Sequence, residues 1–200
     1  MTEKELLHII FSLCFLFFLF ERGYYQSKAM RTSGELAKYK TKKSSLFLLI
    51  LMFIIAQIWV LGSFIFILNP QFLDLSTLPF PFWIRWVGVI LTMLGIGVEV
   101  STQLYLGKNY STFLHIREEQ TLITTGPYRY VRHPMYSALI TVGIGMSLLS
   151  ANLYFGLPFF VTILVIIFRV KKEEEVMIKK FGEEYVQYIK RTKRFIPYFL

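Results

Sequence analysis

The sequence predicts an all-α integral membrane protein in which five transmembrane helices are followed by an amphipathic cytoplasmic helix. Three observations support this fold class. Hydrophobic residues make up 54% of the 200 positions, more than a water-soluble domain of this size usually carries. These residues form long blocks with few charges. Most of the basic residues lie in three segments between or after the blocks.

Five blocks are long enough to be considered as membrane spans, since a helix needs about 20 apolar residues to cross the hydrocarbon core. The predicted spans are 6–26, 45–68, 83–106, 134–150 and 153–170. The last two come from one apolar stretch that is interrupted at residues 150–152, so we expect them to form a tight hairpin. The fourth span begins at Pro134, because proline suits the first turn of a helix.

The third span contains Gly88, Gly95 and Gly97. The last two could be mistaken for part of a nucleotide-binding glycine loop, but no strand precedes them. Small residues in a membrane helix allow a neighbouring helix to approach closely. The three glycines therefore predict close helix packing.

The basic residues predict the orientation. Of the 22 Lys and Arg residues, all but Lys4 and Arg85 lie within 22–43, 108–132 or 169–194. Positively charged loops stay on the cytoplasmic side of the membrane. Five spans then place the N-terminus outside and the C-terminus in the cytoplasm. Topology also explains the net charge of +9 without nucleic acid as a partner.

Two polar segments lie outside the predicted spans. Residues 27–43, between the first and second spans, are predicted to form a solvated connector. Residues 173–191 predict a helix, because Met177, Phe181 and Tyr185 recur at helical spacing between charged residues. Such a helix either anchors the chain at the interface or folds back over the cytoplasmic face as a lid.

Several kinds of chemistry are missing from the sequence. The single cysteine, Cys14, lies inside the first predicted span and has no partner for an internal disulfide. There is no His-Glu-x-x-His motif, no repeated histidine box and no cysteine pair, so we expect no metal site. No serine elbow or phosphate-binding loop occurs either.

The strongest candidate site is the corner formed by His133 and Pro134. The residue before a proline is driven to an extended conformation, so the chain turns sharply and presents the amino end of a helix. Such an end attracts anions. Arg129, Arg132, Tyr128, Tyr130 and Tyr136 lie close by in the sequence. The set suits a ligand with a carboxylate, a flat base and a sugar, or else it contacts lipid headgroups.

Arg169 and Glu173 form the second candidate, because a spacing of four places them on one helical face. They either form a plain ion pair, or Arg169 binds a carboxylate while Glu173 or Glu174 accepts hydrogen bonds from a ligand. Glu99 needs a partner inside the membrane and is expected to pair with a basic residue. His115 is a weaker candidate by position.

Together these segments resemble the isoprenylcysteine carboxyl methyltransferase family and, more loosely, the membrane phospholipid methyltransferases. The resemblance rests on Gly-Pro-Tyr at 126–128, Arg-His-Pro-Met-Tyr at 132–136, Phe-Arg at 168–169 followed by glutamates at 173–175, and Phe-Gly-Glu-Glu-Tyr at 181–185. It covers about half the chain. Two departures are Ala138, where the family often has glycine, and Gln120, where it can carry histidine.

The resemblance implies a function. The methyl donor would be S-adenosyl-L-methionine, and the acceptor would be the carboxylate of a lipid-linked prenylcysteine that enters from the bilayer. Arg169 would meet that carboxylate and, with Glu173, carry the catalytic role. The implied cofactor-binding residues are His115, Gln120, Thr121, Leu122, Ile123, Tyr128, His133, Pro134, Met135, Tyr136, Glu173 and Glu174.

The resemblance also implies that the chain is one membrane domain, with a two-span scaffold and outer loop at 1–82 and a catalytic core at 83–200. Three alternatives stay open on the sequence. The first is a phospholipid or other small-molecule methyltransferase. The second is a sterol-reductase-like enzyme that uses NADPH. The third is a membrane adaptor without enzymatic activity.

Overall fold

The structure, a computed structural model, describes residues 1–33, 43–107 and 121–197. Within these ranges the architecture is helical. The long helices are α1 (Glu3–Ser33), α2 (Lys43–Leu68), α3 (Phe82–Leu106), α4 (Pro134–Ser150) and α5 (Leu153–Phe181), and a short helix, α6 (Glu183–Arg191), follows. Short 3-10 turns cover Pro70–Ser76 and Gly126–Arg129.

Four of these helices, α1, α2, α3 and α5, are long and apolar enough to cross a membrane. The fourth predicted span, α4, has the predicted bounds but only 17 residues. At 1.5 Å per residue it is about 26 Å long, slightly less than the hydrocarbon thickness of about 30 Å. The several apolar helices make the chain an integral membrane protein.

Two boundaries differ from the prediction. The helix α1 continues to Ser33, so the first part of the predicted solvated connector is helical; residues 34–42 lie outside the described residues. The helix expected at 173–191 does not start at Glu173, because α5 runs through to Phe181 and stops at Gly182; the separate C-terminal helix is α6, which ends at Arg191. This glycine has φ +55°, a conformation that other residues rarely adopt, and α6 starts after it.

Three segments poor in basic residues meet at one end of the bundle, which we call the outer end. Leu78 N–H donates to the Ala151 carbonyl at 2.6 Å, and the Ser76 hydroxyl donates to Asn152 Oδ1 at 2.7 Å. Trp86 Nε1 donates to Glu3 Oε1 at 2.9 Å. The N-terminus, the 69–81 loop and the α4–α5 turn therefore lie together, and α4 and α5 form the expected hairpin. The opposite end, with residues 126–133 and 169–194, is called the inner end.

An aromatic cluster joins α1, α2 and α5. The Phe11 ring lies 4.9 Å from that of Phe66 and 5.1 Å from that of Phe155, measured between centroids. Phe11 and Phe155 are fully buried. This packing fixes the first two helices against the hairpin, whose inner half carries the candidate site.

The helices α3 and α4 pack backbone to backbone through small residues. A Cβ atom on Gly88 would stand 2.5 Å from the Leu149 nitrogen, and one on Gly145 would stand 2.5 Å from the Thr92 nitrogen. The prediction of close packing holds for Gly88, and for Gly95 beside Val142. It is wrong for Gly97, whose Cβ would meet no described atom within 4 Å.

We predict that Gly145→Ala destabilises the folded protein by about 1–3 kcal/mol, because the backbones must separate to admit the methyl group. The matched control is Gly97→Ala, which adds the same group to open space on α3 and should leave stability unchanged or slightly raised. Thermal unfolding of the purified variants in detergent measures both. Equal effects of the two substitutions would contradict the packing described here.

Candidate functional site

The entry to α4 is built as the sequence predicts. Gly126 has φ +61° and begins the 3-10 turn Gly126–Arg129, directly beneath the ring of Tyr105 at the end of α3. His133 is the N-cap residue of α4, with φ −125° and ψ 58°, and Pro134 occupies the first helical position. The amino end of α4 therefore faces the inner end of the bundle, with Met135 and Tyr136 in its first turn.

The C-terminal segment covers this corner, which the sequence did not predict. Arg132 N–H donates to the Lys193 carbonyl at 2.7 Å, and His133 N–H donates to the Arg194 carbonyl at 3.0 Å. The Ser137 hydroxyl donates to the Phe195 carbonyl at 2.6 Å. Residues 192–195, which we call the C-terminal strap, thus run alongside the residues that lead into α4.

Glu173 joins the two predicted halves of the site. Its Oε1 accepts a hydrogen bond from the Tyr136 hydroxyl at 2.7 Å and another from Arg169 Nε at 2.9 Å. Its Oε2 lies 3.7 Å from His133 Nδ1, beyond hydrogen-bond distance. Only 6% of Arg169 is exposed. The corner at the start of α4 and the arginine–glutamate pair on α5 therefore meet around one carboxylate.

Glu174, the next residue, is held by three cationic or ionisable side chains. Arg132 Nε donates to its Oε1 at 3.0 Å, and Arg194 donates to Oε2 from Nη2 at 2.6 Å and from Nε at 3.0 Å. His133 Nε2 lies 3.4 Å from Oε1. Burial alone would raise the pKa of this carboxyl, but the adjacent His133 imidazole and the hydrogen bonds from Arg194 and Arg132 hold its pKa well below the usual range.

Arg132 also donates hydrogen bonds to carbonyl groups at the C-terminal end of α6. Its Nη1 donates to the Ile189 carbonyl at 3.2 Å and to the Thr192 carbonyl. Cationic side chains suit this end of a helix, where carbonyl groups lack partners. One guanidinium therefore links the α4 corner, α5 and the C-terminal strap.

The helix α6 packs on the turn before α4 through two buried tyrosines, Tyr185 and Tyr188. The Tyr188 hydroxyl donates to the Tyr128 carbonyl at 2.6 Å. Burial raises the pKa of Tyr188 to about 12, so the hydroxyl keeps its proton at neutral pH. This contact holds the backbone of Tyr128 in place.

The other predicted residues divide into two groups. Thr121, Leu122 and Ile123 lie in an irregular segment before the 126–129 turn, and their part in the site stays a prediction. His115 and Gln120 lie outside the described residues. Glu99 pairs with Arg22 at 2.7 Å, a basic partner of the kind the sequence predicts, and so belongs to a separate cluster between α1 and α3.

The donors and acceptors at the corner fit an amino-acid-bearing nucleoside ligand. In the first turn of α4, Pro134 has no N–H and the Tyr136 N–H donates to the His133 carbonyl at 3.1 Å, so the Met135 N–H is the main-chain donor that suits a carboxylate. Glu173 Oε2, with a side chain that is 20% exposed, suits a hydroxyl or an ammonium group. Among the described residues, no group of three or more His, Cys, Asp and Glu side chains is arranged to hold a metal ion.

We predict that Glu174→Gln costs about 3 kcal/mol of stability at pH 7, because it leaves buried Arg132 without its charged partner. The Glu174 pKa is lowered by folding, so its contribution is present above the ordinary value of 4.5 and is lost as pH falls toward the folded-state pKa. The difference from wild type should therefore shrink below about pH 4.5.

Thermal unfolding at several pH values tests this, with Glu175→Gln on the exposed side of the same helix as the control. A stability difference that does not change with pH would exclude the ionised carboxylate as its source.

A model of the phospholipid methyltransferase family matches residues 83–184, about half of the chain. This range includes α3, the α4 corner, Arg169 and both glutamates. It ends near the start of α6 and so leaves out most of α6 and the C-terminal strap.

Curated relatives carry the name protein-S-isoprenylcysteine O-methyltransferase. The chain is 27% identical to form B of Arabidopsis thaliana over 119 residues, which are 58% of this chain and 60% of that protein. It is 27% identical over 119 residues to the Homo sapiens protein, of which 42% is covered. The match thus spans roughly half the length of these relatives.

A solved structure of the eukaryotic intramembrane Ras methyltransferase (isoprenylcysteine carboxyl methyltransferase) has a similar fold. The TM-score is 0.58 at 18% sequence identity, and the match covers 90% of this chain and 63% of that one. The fold likeness and the family match agree with the resemblance drawn from the sequence motifs. The chain belongs to the phospholipid methyltransferase family of membrane proteins.

Proposed function

We propose that the protein transfers a methyl group from S-adenosyl-L-methionine to the carboxylate of a prenylcysteine at the cytoplasmic edge of the membrane. One observation carries this proposal. Arg169 is buried one helical turn before Glu173, where the apolar part of α5 ends, and Glu173 in turn contacts Tyr136 in the first turn of α4. A group that binds carboxylates thus lies beside a site that suits the methyl donor.

The proposed cofactor site uses the α4 corner. The methyl donor supplies an electrophilic sulfonium methyl group when it is bound. The Met135 N–H at the amino end of α4 would donate to its carboxylate, and Glu173 would accept a hydrogen bond from its amino or ribose group. His133, Tyr136 and Tyr128 line the same corner, and Thr121, Leu122, Ile123, Met135, His115 and Gln120 are the further candidates from the resemblance.

Glu174 has a different role in this proposal. Its carboxylate already accepts hydrogen bonds from Arg132 and Arg194, with His133 at 3.4 Å. We therefore assign it to positioning His133 and the C-terminal strap, in place of the cofactor contact implied by the resemblance.

Methylation of the acceptor carboxylate requires that the carboxylate be positioned, and it requires no proton transfer. A carboxylate is already ionised at neutral pH and needs no general base. The planar fork of Arg169 orients its two oxygens. Glu173 holds that fork through Arg169 Nε. Arg169 Nη1 lies 3.7 Å from Met52 Sδ on α2, so the guanidinium sits at the contact between α2 and α5. An amphiphilic acceptor reaches it from the lipid while its polar end stays at the membrane edge.

The proposed topology follows from charge. The inner end carries most of the described basic residues, so we assign it to the cytoplasm, with the N-terminus outside and α1 to α5 as five spans. In this arrangement α6 and the C-terminal strap form a cytoplasmic cover. Residues 83–200 then form the catalytic core and residues 1–82 the scaffold. The partners are the lipid-linked acceptor and the membrane, and the methyl transfer itself uses no nucleic acid and no metal.

Transfer to the amine of a phospholipid is the second candidate, because the matching family model bears that description. An ammonium group carries no lone pair for attack, so this reaction needs a proton acceptor or an amine held in its neutral form. Arg169 would repel a cationic acceptor, which makes this reaction the weaker candidate.

We predict that Arg169→Ala lowers the rate of methyl transfer at least 100-fold, because the acceptor carboxylate loses its bidentate partner. Arg169→Lys should recover only a small part of the rate, since an ammonium lacks the planar fork. Exposed Lys171→Ala on the same helix is the control. Transfer of labelled methyl groups to a simple prenylated cysteine measures the rates. A fully active Arg169→Ala enzyme would remove this residue from the mechanism.

The product distinguishes the two acceptors. Supplied with labelled methyl donor and membranes that contain both a prenylcysteine and phosphatidylethanolamine, the protein should yield a product that releases volatile methanol in mild alkali. A methyl ester hydrolyses under these conditions and an N-methyl group does not. Label that stays in the phospholipid after alkali would favour the second candidate.

A further inference from the structure

A buried polar cluster lies between α1 and α3, outside the site described above. Its members, which we call the α1–α3 cluster, are Glu21, Arg22, Glu99 and Gln103. Arg22 Nη1 lies 2.7 Å from Glu99 Oε1, and Gln103 Nε2 donates to Glu21 Oε1 at 2.7 Å and, more weakly, to Glu99 Oε1 at 3.5 Å. Glu99 is 0% exposed, Gln103 1% and Glu21 5%, whereas 30% of the Arg22 side chain is exposed.

The cluster lies at the depth of the candidate site. A Cβ on Gly95 of α3 would stand 3.1 Å from the Ala138 carbonyl of α4. Glu99 is one turn further toward the inner end, while α4 runs in the opposite direction. Glu99 is therefore level with the first turn of α4, near the inner edge of the apolar region.

Three acceptor oxygens in the cluster accept no hydrogen bond from any described residue. They are Glu21 Oε2, Glu99 Oε2 and Gln103 Oε1, and all are buried. The orientation of the Gln103 amide follows from chemistry, since its NH₂ group must face the two carboxyl groups. Its carbonyl oxygen is thus held at the cluster without a donor. Unsatisfied buried acceptors of this kind are costly.

The charges of the cluster, like its unpartnered oxygens, favour an additional positive charge. Two carboxyl groups face one guanidinium, that of Arg22, and a net negative charge inside a membrane protein is strongly unfavourable. Within the described ranges, the cation beside the two carboxyl groups is Arg22. Tyr25 lies beside Glu21 on α1, and the sole titratable side chain of α4, Tyr136, is bound to Glu173.

We propose that the α1–α3 cluster binds one small monovalent cation, either a proton or a metal ion of the sodium class. One added positive charge neutralises the two carboxylates and Arg22 together. It also gives a partner to oxygens from Glu21, Glu99 and Gln103. The bound cation ties the inner end of α1 to α3, next to the helix that carries the methyltransferase site. The inference does not depend on which acceptor is methylated.

The test is the thermal midpoint of the purified full chain in detergent, measured at pH 5 to 8 in choline chloride and again with sodium replacing choline at constant ionic strength. If a proton is bound, the folded state holds one proton more than the unfolded chain, so the ratio of folded to unfolded protein falls up to tenfold per pH unit as pH rises. If sodium is bound, the midpoint rises with sodium concentration.

Glu99→Gln and Glu21→Gln should each remove that dependence, because either substitution leaves one carboxylate to balance Arg22. Glu184→Gln on the exposed face of α6 is the control and should keep it. If the midpoint of the wild type and of Glu184→Gln falls with pH while that of the two cluster variants does not, the bound cation is a proton. If the midpoint of the wild type and of Glu184→Gln rises with sodium instead, the bound cation is the metal ion. A wild-type midpoint insensitive to both, or variants with the same dependence as wild type, would overturn the proposal.

Discussion

The inner end of the protein depends on two adjacent carboxylates on α5. Glu173 contacts Tyr136 of α4 and Arg169 of its own helix, whereas Glu174 binds Arg132 before α4 and Arg194 of the C-terminal strap. A helix places neighbouring residues about 100° apart, so the two side chains reach different partners. One carboxylate therefore organises the candidate site while the other holds the corner and the strap in place around it.

The sequence predicts the helices well because a bilayer imposes a simple physical rule. Each apolar block must be long enough to cross hydrocarbon and must satisfy its own backbone hydrogen bonds. The end of α5 was harder to predict, since the polar residues after Val170 continue a helix as readily as they begin a new one. Gly182, with its positive φ, is the residue that breaks the pattern, and its presence in the sequence was the available signal.

The site could be predicted only where it is local. The His133–Pro134 corner and the Arg169–Glu173 spacing follow from neighbouring residues, and the structure brings these two pairs together. The clamp of Arg132 and Arg194 on Glu174 joins residues 42 and 20 positions apart, and the bond from Gln103 to Glu21 joins residues 82 apart. No periodicity encodes such contacts. Gln103 inside the third apolar block and Arg132 beside His133 are polar residues at positions where a partner is needed, but the sequence does not say which partner.

In the proposed function, Glu173 holds the methyl donor at the α4 corner. Calorimetric titration of the purified full chain with S-adenosylhomocysteine tests it most directly, with Glu173→Gln and its exposed neighbour Glu175→Gln as a matched pair. We expect one binding site in the wild type, at least tenfold weaker binding in Glu173→Gln, and unchanged affinity in Glu175→Gln. Absence of binding by the folded wild type, or equal affinities in all three proteins, would contradict it.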